Sequence, residues 1–131
     1  MVITITTAGL CGLILMALSV RVIQVRGAAK ISLGDGGDAL LLSRIRAHAN
    51  FAEYVPIILI LMGLIETTNG TGPTLGVIGV ALVLCRIAHA IGMGRPAPNP
   101  ARVVGTAGTF IILVVASIWA LLISARLHGL G

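Results

Sequence analysis

Acidic and aromatic side chains are both scarce in this sequence. There are four carboxylates against nine lysines and arginines, and one tryptophan, one tyrosine and two phenylalanines. Only 10% of residues are charged while 57% are hydrophobic, and the mean hydropathy is +1.09. That balance excludes an ordinary soluble domain, which needs charge over most of its surface. The formal net charge of +5 does not point to nucleic acid either, because a nucleic-acid binder needs a solvated basic face, often with stacking aromatics. Cys11 and Cys85 both lie in apolar runs, so they imply packing thiols rather than a disulfide framework. No two histidines stand at helical ligand spacing and no cysteine joins them, so no metal is expected. Neither a serine elbow nor a phosphate loop is present.

What the sequence does have is four long apolar stretches. A helix needs about 20 mostly apolar residues to cross the hydrocarbon of a bilayer. Such stretches predict helices over about 3–26, 39–66, 74–94 and 101–127, and the whole of 1–131 reads as a single all-α transmembrane domain, a four-helix bundle. The segment Met1 to Val20 has no basic start and no clear small-x-small cleavage pattern, so it is expected to be a retained helix and not a secretion signal. Gly27 to Asp38 is turn-rich, Thr67 to Pro73 is a short polar turn, and the prolines at 96, 98 and 100 prevent the third and fourth helices from joining. Asp35 and Asp38 fall in the first loop, read as flexible, and Glu66 is expected to end the second helix in water.

Arg26, Lys30, Arg44, Arg46, Arg95 and Arg102 cluster around loops one and three, and loop two has no positive residue. By the positive-inside rule those loops face the cytoplasm and both termini lie on the opposite side.

Arg46, Asn50 and Glu53 are spaced i, i+4, i+7 on the second helix, and Arg86, His89 and Met93 are spaced i, i+3, i+7 on the third. Each helix therefore carries a polar stripe. With Arg44 and Arg95 taken as depth markers, Glu53 and Arg86 each lie nine residues in. That is roughly 13 Å at 1.5 Å per residue, near the middle of a layer about 30 Å thick. The count predicts a Glu53 to Arg86 ion pair, formed either within one chain or between chains, with Asn50 level with His89 and Arg46 level with Met93. Arg26, Arg46, Arg95 and Arg102 then mark the mouth of one cavity, whose excess positive charge suits an anionic ligand. A purely structural pair fixing helix register is the competing explanation.

The run Arg46-Ala47-His48-Ala49-Asn50-Phe51-Ala52-Glu53-Tyr54-Val55-Pro56 resembles the second-helix signature of the membrane-associated proteins in eicosanoid and glutathione metabolism. Gln24-Val25-Arg26, Arg86-x-x-His89 and Pro100-x-Arg102 extend the resemblance over nearly the whole chain. The resemblance implies a homotrimer of four-helix subunits in the bacterial inner membrane. It also implies glutathione as co-substrate, held between subunits near the cytosolic side. Arg26, Arg46, Asn50, Glu53, Tyr54, Arg86 and His89 would be the glutathione contacts, and Arg102 the residue that activates the thiol.

The implied activity is a glutathione-dependent transferase or peroxidase acting on a lipophilic electrophile delivered from membrane lipid. A guanidinium near the sulfur favours the thiolate, which is the nucleophile. Some relatives place a tyrosine where this sequence has Met93, which cannot donate to a thiolate. Ala49 replaces an arginine of the prostaglandin synthase branch, which counts against prostaglandin synthesis. A non-catalytic binding or scaffold protein of the same fold is the alternative. A small transporter is less favoured, since no broken helix or inverted repeat is evident.

Overall fold

The computed structural model describes residues 1–129, and the described residues form four helices and no strand. They are α1 (Val2–Ala29), α2 (Ala39–Asn69), α3 (Pro73–Gly92) and α4 (Pro100–Leu127). All four are long and apolar enough to cross a membrane. The protein is an all-α membrane protein.

The ends differ from the sequence expectation by up to a turn, for local reasons. α1 continues through Gly27-Ala28-Ala29, two of them good helix formers, and stops at Lys30, whose left-handed φ of 55° turns its N–H back toward the carbonyls of Arg26 and Gly27. α2 runs on to Asn69. The hydroxyls of Thr67 and Thr68 donate to the carbonyls of Gly63 and Leu64 at 3.0 and 2.8 Å, so these threonines extend the helix and do not leave it. α3 is shorter than expected, because Gly94 and Arg95 close three-residue turns onto Ile91 and Gly92 at 3.1 and 3.2 Å.

The first loop is tied down at both acids. Asp38 caps α2 by accepting the Leu41 N–H at 2.8 Å, and Asp35 accepts that of Gly37 at 3.0 Å. Asn99 caps α4 through the Ala101 N–H at 3.0 Å, with Pro100 at the first helical position.

The helices stand in a ring in the order α1, α2, α4, α3, with α3 packed closest to α4 and α1 next closest to α2. The interior is filled by Leu41, Ile58, Met62, Leu75, Leu82 and Ala116, while Leu13, Val77 and Leu121 are among many apolar side chains left on the outside for lipid. Glycine sets the α3/α4 distance. A Cβ at Gly105 would lie 2.6 Å from the Cys85 carbonyl oxygen, and one at Gly92 would lie 2.6 Å from Arg102 Cα. Both cysteines are free. Cys11 is buried, and the Cys85 sulfur fills the space beside Gly108.

Glu66 does not end α2 in water. It is 3% exposed, and its two carboxylate oxygens accept the backbone N–H groups of Ile3 (3.0 Å) and Thr4 (2.8 Å), with Thr71 Oγ1 donating at 3.1 Å. The first turn of α1 has no acidic residue and no side-chain cap of its own. A carboxylate from α2 therefore satisfies the unpaired donors of α1 across the helix interface.

Candidate functional site

Arg86 organises the interior. It is 1% exposed, projects from α3, and donates from Nη1 to Asn50 Oδ1 on α2 at 2.9 Å and from Nη2 to the Gly105 carbonyl on α4 at 3.2 Å. One side chain thus joins three helices. The Gly105 carbonyl also accepts from Thr109 Oγ1 at 2.7 Å, and Arg86 Nε has no hydrogen-bond partner among the described residues. His89, one turn further along α3, is buried where that helix meets Gly105.

The expected Glu53 to Arg86 pair is not formed within the chain. Glu53 is exposed, and the one ion pair among the described residues joins the Met1 amino group to Glu66 at 3.7 Å. Arg86 meets Asn50 instead, and Ser43 Oγ on α2 donates to the Met93 carbonyl at the end of α3. Both contacts displace the antiparallel register by the same three residues, nearly a turn, from the one obtained by counting. Asn50 is therefore level with Arg86 and not with His89, and Arg46 is not level with Met93. The depth markers explain the error. Arg44 is half-buried and its guanidinium lies beside Gly94, so it starts deeper than Arg95 and reaches outward on its flexible stem.

The stripe on α2 also divides. At 100° per residue, Arg46 and Glu53 point within about 20° of each other while Asn50 lies about 40–60° away. Arg46 and Glu53 are exposed, whereas Asn50 is half-buried against Arg86.

The basic mouth is likewise two features. Arg102 is exposed at the start of α4 and lines a groove of about 500 Å³ with Asn99, Thr106 and Phe110. Arg95 lines a separate cavity with Arg21 and Arg44 on the α1/α3 side. Arg26 lines neither, because its Nη1 donates to the carbonyls of Ile31 and Gly34 at 3.3 and 3.0 Å and so holds the first loop.

Tyr54 packs edge-on against Phe110, with ring centroids 5.0 Å apart and an interplanar angle of 63°. Through Phe110 it borders the Arg102 groove. Met93 is half-buried against the core, and its hydrogen bonds are made by its backbone, the N–H donating to the His89 carbonyl at 2.9 Å and the carbonyl accepting from Ser43 Oγ. Sequence reasoning missed Gly105 as an Arg86 acceptor, since a backbone carbonyl carries no signature, and it missed Arg21, which has no motif around it.

An interior Arg86 to Asn50 link, an outward Arg46 and Glu53 face and an Arg102 groove at the opening of α4 thus lie on α2, α3 and α4. The family model described as MAPEG matches residues 4–122. The chain belongs to the MAPEG family. Two similar members of known sequence, the inner membrane proteins YecN of Escherichia coli strain K12 and of strain O6:H1, are each 31% identical to this MAPEG chain over 115 residues. The match spans 86% of this chain and 87% of each relative. Membership places the protein in a membrane family associated with glutathione chemistry.

Proposed function

We propose that this MAPEG protein is a glutathione-dependent transferase or peroxidase that acts on a lipophilic electrophile taken from the bilayer. The observation that carries the reading is the outward placement of its charged motif residues: Arg46 and Glu53 on α2, and Arg102 beside an apolar-walled groove on α4. Charged side chains left against lipid are costly, so a second copy of the chain is the natural cover for them. A homotrimer would bring such sets together, with glutathione between subunits. Its carboxylates would meet arginines and its ammonium would meet Glu53. Asn50 and Tyr54 would flank it, with Arg86 and His89 holding that wall from inside and Arg26 fixing the adjacent loop. In this reading the protein occupies the bacterial inner membrane, with loops one and three cytoplasmic.

Arg102 would stabilise the glutathione thiolate without giving up its own proton. In conjugation the sulfur lone pair forms the S–C bond as the bond from carbon to its leaving group breaks. That group departs with the electron pair and takes up a proton. With a peroxide the S–O bond forms as O–O breaks, and the alkoxide takes a proton from water. A second glutathione then converts the sulfenic acid to the disulfide and water.

Met93 favours a second reading, binding without turnover, because no hydroxyl donor stands at that position. A panel of apolar electrophiles and hydroperoxides, assayed with the purified protein and glutathione, separates the two. Turnover lost in Arg102→Ala supports the enzyme. Glutathione binding with no turnover across the panel supports the binding protein and overturns the enzyme.

A further inference from the structure

Arg21 of α1, Arg44 of α2 and Arg95, just beyond α3, line one cavity of about 420 Å³. No acidic side chain lines it, and none of the three is paired with a carboxylate among the described residues. The Arg44 guanidinium lies close against the backbone of Gly94, where a Cβ would stand 3.1 Å from Nη1. Deeper along the same α1/α3 groove lies an apolar channel of about 270 Å³ that shares Arg21, Ala90 and Ile91 with the basic cavity. Its remaining wall includes Ile14, Leu18 and Ile87. Ile14 is about 10 Å from Arg21 along the helix.

Interfacial anchoring accounts for arginines near helix ends, but it does not require three of them, from three elements, to converge on one cavity. Their convergence calls for an anion able to receive several guanidinium donors at once. The apolar extension then selects among anions. Glutathione would place its ammonium among three cations with no carboxylate to meet it, and a free phosphate would leave the apolar channel unused. An amphiphile with a phosphate head and a hydrocarbon tail matches both halves.

We propose that the α1/α3 groove binds an anionic glycerophospholipid, its phosphate held by Arg21, Arg44 and Arg95 and an acyl chain lying along Ile14, Leu18 and Ile87. The groove shares no residue with the glutathione contacts, so the inference stands independently of the proposed reaction. It gives the protein a bound lipid on the side of loops one and three, where the headgroup would brace α1, α2 and the turn after α3.

The test is retention of added lipid by the full-length protein in detergent, read by native mass spectrometry with phosphatidylglycerol or phosphatidylcholine. The wild-type protein retains phosphatidylglycerol with a preference of about tenfold or more. That preference is lost in the Arg21→Gln/Arg95→Gln double variant and reduced in Arg95→Gln alone, a change outside every helix that leaves the fold intact. Millimolar inorganic phosphate or glutathione leaves the lipid bound. Equal retention of the two lipids would overturn the proposal, as would a preference unchanged in the variants. Displacement by inorganic phosphate would show a small-anion site, and displacement by glutathione a peptide site. Either contradicts a lipid occupant.

Discussion

Arg86 Nη1 donates to Asn50 Oδ1 across 2.9 Å, and this contact spans α2 and α3, the touching pair of helices that otherwise meet least. The guanidinium has a neutral amide and a backbone carbonyl as acceptors and no carboxylate, so its stability rests on hydrogen-bond geometry within the bundle.

Asn50→Leu therefore strands a buried cationic donor. The expected loss is about 1–3 kcal/mol, read as a lower unfolding temperature in detergent. Asn50→Asp supplies an acceptor of opposite charge at the same place and retains the fold. Glu53→Gln, by contrast, changes the stability of a single subunit by less than about 0.5 kcal/mol, because Glu53 is exposed and forms no ion pair among the described residues. A large loss in the monomer from Glu53→Gln would restore the ion pair that counting predicts.

Glu66→Ala removes the acceptor for the Ile3 and Thr4 N–H groups and is expected to lower the unfolding temperature by several degrees. Hydrogen exchange at the first turn of α1 should rise with it. Glu66→Gln keeps one acceptor oxygen and loses less.

Gly105→Ala forces a methyl group against the Cys85 carbonyl and disturbs the carbonyl that Arg86 uses. Overpacking of this kind costs about 1–3 kcal/mol. Gly9→Ala and Gly12→Ala meet nothing within 4 Å and are expected to be neutral or slightly stabilising. Parallel thermal denaturation of the three variants distinguishes a specific α3/α4 contact from a general tolerance of glycine.

The four spans were legible because an uninterrupted apolar stretch long enough to cross a bilayer has few other fates. The family was legible from the ordered polar residues on all four helices. The arrangement of those residues was not. α1 and α2 carry apolar residues on nearly every side, so periodicity does not announce which face turns inward. Asn50 and Glu53 share a stripe, but only contact with Arg86 shows which of them it faces. Glu66 stands near the end of α2, where water is the simplest expectation, and its role emerges only once the uncapped start of α1 lies beside it. Arg95 and Arg102 are seven residues apart in sequence and line different cavities, because the proline-rich turn carries the chain from one side of α3 to the other.

Arg102→Ala should leave the fold unchanged, since the side chain is exposed and only its backbone N–H takes part in the α4 cap. Turnover should fall about 100-fold, the usual scale for removing one group that stabilises a reacting anion. Arg102→Lys retains the charge but not the planar fork, and an intermediate rate is expected.

The most direct measurement is a titration of the purified protein with glutathione, following thiolate absorbance in the ultraviolet for wild type and Arg102→Ala. A saturable thiolate signal at neutral pH in the wild type, lost in the variant while glutathione still binds, is the predicted result. No signal at millimolar glutathione, or the same signal in Arg102→Ala, would contradict it.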